Sequence, residues 1–193
     1  MPHLSLAVAS RFIVAFSATL ALAAVFTNFL LAKDRSAMRS EQRSPVATGT
    51  MLGFFALLYL ILRLRVTERP VPPWVLIAGL VLLVAGTAVN LLGRLNLGGN
   101  WGDQVVVYHD HTLVARGAYR WVRHPLYASL VWMGVGAALV FGNPLALAAV
   151  LGLFLPAMRF RARQEETVLT QRFPGYAQYQ RSTGMFLPKP WLK

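Results

Sequence analysis

Apolar residues along this chain are gathered into blocks instead of recurring at a helical or strand period, and the blocks set the first expectation. Three of them run from Phe12 to Ala32, Val46 to Leu62 and Pro72 to Leu92. Each approaches the roughly 20 residues a helix needs to cross a hydrocarbon layer about 30 Å thick. A fourth apolar region, Leu126 to Met158, is too long for one such helix. Within it, Gly142-Asn143 before Pro144 supplies a turn and a proline suited to a first helical position, so the region predicts a hairpin of two short arms. The fold class expected is therefore all-α and integral to a membrane, with about five transmembrane helices including a C-terminal hairpin.

The polar stretches between the blocks predict the rest of the organisation. Lys33 to Pro45 reads as a solvated connector, and "RPVPP" at Arg69 to Pro73 as a tight turn, because proline cannot continue a helix. Residues 94–125 form a polar segment with Gly98, Gly99, Gly102 and Gly117, long enough to predict a functional loop. No internal repeat or low-complexity tract divides the chain, which reads as one domain over 1–193: three helices in 1–93, the loop 94–125, the hairpin 126–158 and an ionisable tail 159–193. With the N-terminus outside, fifteen of the nineteen Lys and Arg residues fall on the inner side. The loop and the tail then share the cytoplasmic face, in a bacterial inner membrane or, in a eukaryote, the endoplasmic reticulum. The first block could also be read as a signal peptide behind Arg11, but its length and the basic residues after it favour a span.

Composition narrows the classes. Hydrophobic residues make up 56% of the chain and charged ones 13%, about half the usual charged share of a soluble domain. The net charge of +12 does not accompany a basic-aromatic module, so nucleic acid is not expected as a partner, and contact of flanking arginines with membrane lipids accounts for its sign. The absence of cysteine removes disulfides and thiolate chemistry. His109 and His111 stand two apart, on opposite sides of an extended segment, so no metal site is expected.

Chemistry concentrates in three stretches. In "RHPLY", Arg123 to Tyr127, Pro125 suits the first turn of a helix, and Arg123 and His124 beside its positive end would suit a carboxylate or phosphate. Snorkelling and interfacial anchoring explain the same residues without a ligand. In "RARQEETVL", Arg161 to Leu169, helical spacing puts Arg161 and Glu165 on one face, and Glu165 and Glu166 are adjacent in a chain of seven acids. A solvated helix with internal ion pairs is the plain alternative. In Gln104 to Tyr119, Val106, Leu113 and Val114 could wall a cleft in which Gln104 and His111 offer hydrogen bonds to the polar edges of an aromatic ring such as adenine.

The succession of "GNW" (Gly99 to Trp101), Gln104, "HTLV" (His111 to Val114), "GAY" (Gly117 to Tyr119), "RHPLY", "RQEETVL" and the spaced tyrosines Tyr176 and Tyr179 resembles the isoprenylcysteine carboxyl methyltransferase family over residues 94–185. The resemblance implies a helical membrane enzyme with a cofactor pocket on the cytosolic face. S-adenosylmethionine would enter from the cytosol, and a lipophilic, prenylated-cysteine-like substrate from the bilayer. Carried over by motif, cofactor binding falls to Gln104, His111, Thr112, Leu113, Val114, Tyr119, His124, Pro125, Leu126, Tyr127 and Glu165. Catalysis falls to Arg161 and Glu165, with Arg161 facing the substrate carboxylate. A phospholipid amine, a small thiol or another lipid is the alternative methyl acceptor, and a sterol-type reductase using NADPH is a more distant one.

Overall fold

The computed structural model describes residues 2–31, 45–64, 67–97 and 113–189, and over them the protein is helical with no strand. In chain order the helices are α1 (Pro2–Leu31), α2 (Pro45–Leu64), α3 (Pro73–Leu97), the single turn α4 (Ala118–Trp121), α5 (Pro125–Val140), α6 (Pro144–Ala149), α7 (Leu155–Arg172) and α8 (Tyr176–Ser182). A π-helical segment, Val150–Phe154, joins α6 to α7, so that Pro144 to Arg172 is one unbroken helix. The connector Lys33 to Pro45 lies outside the described residues except for Pro45, which begins α2.

Helix ends differ from the apolar blocks at two places. α1 begins at Pro2, ten residues before the apolar run at Phe12. The second arm of the hairpin does not stop at Met158 but continues to Arg172. Pro156, which lacks the amide that would bond four residues back, does not break this helix. The π segment just before it opens the hydrogen-bond ladder by one residue, a common accommodation of a proline. Phe154, at its end, is buried, stacked on Phe54 of α2 at 4.1 Å and edge-on to Phe55 at 5.4 Å.

The expected hairpin turn is present in detail. Gly142 takes a φ of 55°, the Asn143 side chain accepts from the Ala146 amide at 2.9 Å, and Pro144 opens α6. The turn before α3 docks on it: the Arg69 amide donates to Gly142 O at 2.9 Å and the Thr67 hydroxyl to Asn143 Oδ1 at 2.7 Å. Both turns thus lie at the end of the bundle opposite the 118–124 segment.

α3 and α5 form the closest pair. Gly79, Gly86 and Gly93, seven apart and so on one face of α3, meet α5 with no room for side chains. A Cβ on Gly79 would lie 2.9 Å from Gly136 O, and one on Gly136 would lie 2.7 Å from Gly79 O. In the groove so formed, Asn90 Nδ2 donates to the Ser129 hydroxyl at 2.8 Å, while Asn90 Oδ1 accepts from Arg94 Nε at 3.0 Å. Small residues with buried polar side chains between helices are the pattern of packing in lipid, where apolar burial alone drives no association. The outward face agrees: Trp74, Ile77, Val81 and Val84 on α3 are each more than half exposed.

Two helices are long and apolar enough to cross a membrane among the described residues, α3 and the 29-residue helix from Pro144 to Arg172. α5, at 16 residues, spans only about 24 Å.

Gly136→Val is expected to lower thermal stability in detergent by an amount equivalent to about 1–3 kcal/mol, because the new methyls meet backbone atoms that cannot rotate aside. Gly152→Ala, where a Cβ meets nothing within 4 Å, is the matched control and should leave the melting temperature unchanged or slightly raised.

Candidate functional site

The site is assembled at the end of the bundle where α3 runs out and α5 begins. Gly117, with a φ of 59°, turns the chain so that the Ala118 amide donates to Asn96 Oδ1 at 2.8 Å, which pins α4 to the end of α3. From α4, Tyr119 reaches the neighbourhood of Glu165, while Trp121 lines an apolar cavity of about 560 Å³ with Leu92, Asn96, Arg120 and Trp132. Pro125 then fixes the first turn of α5 as its motif predicts.

The C-terminal segment closes the site from the other side. The Arg123 amide donates to Gly184 O at 2.8 Å and the His124 amide to Met185 O at 3.2 Å, a short parallel pairing that includes Val122 and Gly184. Arg123 reinforces it from its guanidinium, with Nη1 donating to the carbonyls of Gln180, at 3.0 Å, and Thr183. The Tyr179 hydroxyl donates to Tyr119 O, so α8 is tied to α4 as well.

At the centre, two basic residues from one side of the site meet two acids from α7. Arg123 Nε donates to Glu166 Oε1 at 2.8 Å. His124 places Nε2 3.1 Å from the same oxygen and Nδ1 3.4 Å from Glu165 Oε2. The Tyr127 hydroxyl donates to Glu165 Oε1, and the guanidinium carbon of Arg161 lies 5.7 Å from the centre of the Tyr127 ring. Three of these side chains are nearly sequestered, with Arg123 9%, His124 5% and Glu166 10% exposed, whereas Glu165 remains 24% exposed. The His124 ring stacks on Tyr127 at 5.9 Å and is met edge-on by Phe186 at 6.4 Å.

Burial works against charge on His124, but its hydrogen bonds to Glu165 and Glu166 outweigh that cost and raise its pKa above the ordinary imidazole value. Burial, followed by the negative charge of Glu165, raises the Tyr119 phenol, which stays protonated. Burial does the same for Tyr176 and Tyr179.

Of the residues singled out in the sequence, the structure brings Tyr119, His124, Tyr127, Arg161 and Glu165 together. Pro125 and Leu126 pack beside Gly93 of α3. Leu113 and Val114 are half-buried in the strand-less segment before α4. Gln104, His111 and Thr112 lie outside the described residues. The anion expected beside Arg123 and His124 is the chain's own: the carboxylates of Glu165 and Glu166 occupy that position. Glu166 and the carbonyls of Gln180 and Thr183 complete the cluster. The adjacency of the two acids signalled the first, and no pattern of side-chain types signalled the carbonyls. Among the described residues, no group of three or more His, Cys, Asp and Glu side chains is arranged to hold a metal ion.

Comparison with known proteins bears on this arrangement. The profile of the isoprenylcysteine carboxyl methyltransferase family matches residues 78–171. A protein-S-isoprenylcysteine O-methyltransferase of Saccharomyces cerevisiae is 35% identical over 80 residues, covering 41% of this chain and 34% of the yeast protein. One from Xenopus laevis is 31% identical over 121 residues, covering 60% of this chain and 41% of its own length. The chain therefore spans well under half of these curated relatives. The solved structure of a eukaryotic intramembrane Ras methyltransferase, an isoprenylcysteine carboxyl methyltransferase, superposes with a TM-score of 0.55 at 24% identity, over 81% of this chain and 56% of that one, a likeness of fold.

Arg123→Ala should destabilise the protein by about 3 kcal/mol, since it leaves the Glu166 carboxylate buried without its guanidinium. Arg163→Ala, on the exposed face of α7, should leave stability unchanged in the same denaturant titration.

Proposed function

We propose, on the premise that this chain belongs over residues 78–171 to the isoprenylcysteine carboxyl methyltransferase family, that it is a membrane enzyme methylating the carboxylate of an isoprenylcysteine-type lipophilic substrate. The methyl donor is S-adenosylmethionine. The observation that carries the reading is the convergence of Arg161 and Glu165, one turn apart on α7, on the single side chain of Tyr127 on α5.

The residues present fit such a donor. Glu165 is the one acid of the cluster that keeps solvent access, and a carboxylate offers about four acceptor positions. Tyr127 and His124 engage one each, which leaves capacity for a ribose hydroxyl or an amino group. The rings of Tyr119 and Tyr127 offer faces that attract a cation. Pro125 and Leu126 serve the same pocket from behind by fixing the first turn of α5 against α3. Gln104, His111, Thr112, Leu113 and Val114 belong to the same proposed pocket through the family motif.

S-adenosylmethionine supplies an electrophilic methyl group on a sulfonium. The acceptor carboxylate titrates near pH 4 in water and is already a nucleophile at neutral pH, so the chain need hold no general base. Its task is placement. Arg161 can clamp a carboxylate with two parallel N–H···O bonds, and a site that aligns two reactants and sheds water lowers a barrier by roughly 7 to 11 kcal/mol. The stacking of Arg161 over Tyr127 limits where its guanidinium can point and so where the carboxylate sits.

We read the five apolar helices as membrane-embedded, with α4, α8 and the end of α7 on the cytoplasmic face. Basic residues concentrated at that end of the bundle support the orientation. A lipophilic substrate then approaches from the hydrocarbon side, while the cofactor arrives from water.

Membranes containing the protein, incubated with radiolabelled S-adenosylmethionine and a panel of farnesylcysteine, phosphatidylethanolamine and a small thiol, should yield base-labile product with farnesylcysteine alone. Product from the amine or thiol instead would overturn the acceptor. Arg161→Ala should lose about a hundredfold in kcat/KM while retaining affinity for S-adenosylhomocysteine. Glu165→Ala should lose that affinity, and unchanged binding in calorimetry would remove Glu165 from the cofactor site.

A further inference from the structure

His124 stands between two carboxylates, with one ring nitrogen toward each. A neutral imidazole carries a single N–H, so it can donate to only one of them and must present a lone pair to the other. Two ionised acceptors on opposite sides of one ring are therefore both satisfied only when the ring carries two protons. Glu166 is fixed independently: Arg123 binds the same Oε1, and Arg123 is itself anchored on the carbonyls of Gln180 and Thr183. Glu165, in contrast, is partly exposed, and Tyr127 and His124 contact its two carboxylate oxygens.

We infer that Glu166 is a positioning residue for the proposed cofactor site, acting through His124 to hold Glu165 against Tyr127. The chain of contacts runs one way, from the buried Arg123–Glu166 pair to the imidazolium and from the imidazolium to the exposed acid. The inference rests on the assignment of Glu165 to the cofactor in the preceding subsection. Glu166 touches neither reactant in this scheme. It keeps the ring doubly protonated, and the protonated ring keeps Glu165 at one angle.

The surroundings set the sign of the pH response. Facing His124 are Glu165 and Glu166 from α7 and Tyr127 from α5, with Arg123 behind Glu166 and Arg161 beyond Tyr127. Tyr119, Tyr176 and Tyr179 lie within electrostatic range of the two acids, and all three remain neutral where His124 titrates. Because the imidazole pKa is raised in the fold, its hold on Glu165 is complete at acid pH and is lost as pH rises through the folded value. Removing the charge of Glu166 leaves burial opposed by one carboxylate instead of two. The same loss must then come at lower pH.

The experiment compares wild type with Glu166→Gln by nitrogen-15 NMR titration of the His124 ring, assigned with His124→Gln, and by S-adenosylhomocysteine affinity across pH. The variant is expected to titrate its ring at lower pH. Its affinity should lie near that of wild type at about pH 5.5 and fall about tenfold below it at about pH 8. Coincident ring titrations, or an affinity loss equal at every pH, would overturn the proposal. Should Glu166→Gln not fold, Glu166→Asp provides the same comparison: it retains the charge and should restore the wild-type pH profile in part. If wild type binds no S-adenosylhomocysteine at any pH, the cofactor reading fails, and the ring titration alone decides whether Glu166 governs His124.

Discussion

The site depends on how closely α3 and α5 approach. The first helix ends where α4 is pinned by Asn96, and the second begins at His124, so their separation fixes the distance between Tyr119 and the RHPLY motif. Glycines at seven-residue intervals allow backbone to meet backbone, and the Asn90–Ser129 hydrogen bond fixes the register along the pair. In hydrocarbon there is little gain from hiding apolar surface, so contact of this kind and buried hydrogen bonds must supply the cohesion. α4 and the RHPLY motif at that end of the bundle are both carried by that pair.

The cluster hung there is balanced in charge. When His124 is protonated, it and Arg123 offset Glu165 and Glu166, and three of the four side chains are almost out of water. Such a group is costly to bury and is tolerated where geometry satisfies each member. Here backbone carbonyls of the C-terminal segment, those of Gln180 and Thr183, accept from Nη1 of Arg123. The same bonds close the site and join α8 to the rest of the protein. Arg161 lies beside this group, its guanidinium carbon 5.7 Å from the centre of the Tyr127 ring.

Much of the architecture was legible in the sequence because length and apolarity are strong signals for helices in lipid. Asn143-Pro144 announced a helix start that the Asn143 cap confirms. What escaped was helix continuing through polar sequence. "RFRARQEE" carries no apolar block, and its helix is held by the buried Met158 and Ala162 together with the ion pairs. α1 likewise begins ahead of its apolar run. At the site, the shared face of the loop and the tail allowed the two segments to converge, and the family motifs grouped His124 with Glu165, which meet at 3.4 Å. The sequence left Arg123 and His124 between an anion site and interfacial anchoring, because the distance between residues 123 and 166 along the chain hides that Arg123 meets Glu166. The seat of residues 183–185 was invisible for another reason: it is made by backbone groups, which every residue carries.

The π segment before Pro156 has a consequence for phase. Apart from Ala149, the buried positions along this helix recur at every fourth residue: Ala146, Val150, Phe154, Met158, Ala162 and Glu166. In an ideal α-helix a step of four overshoots a full turn by about 40°, so such a stripe would wander round to the opposite side within five steps. A wider turn in the middle takes back part of the overshoot, like a leap day in a calendar. The row of side chains that begins in the apolar interior thereby arrives, five steps later, with its carboxylate still facing inward.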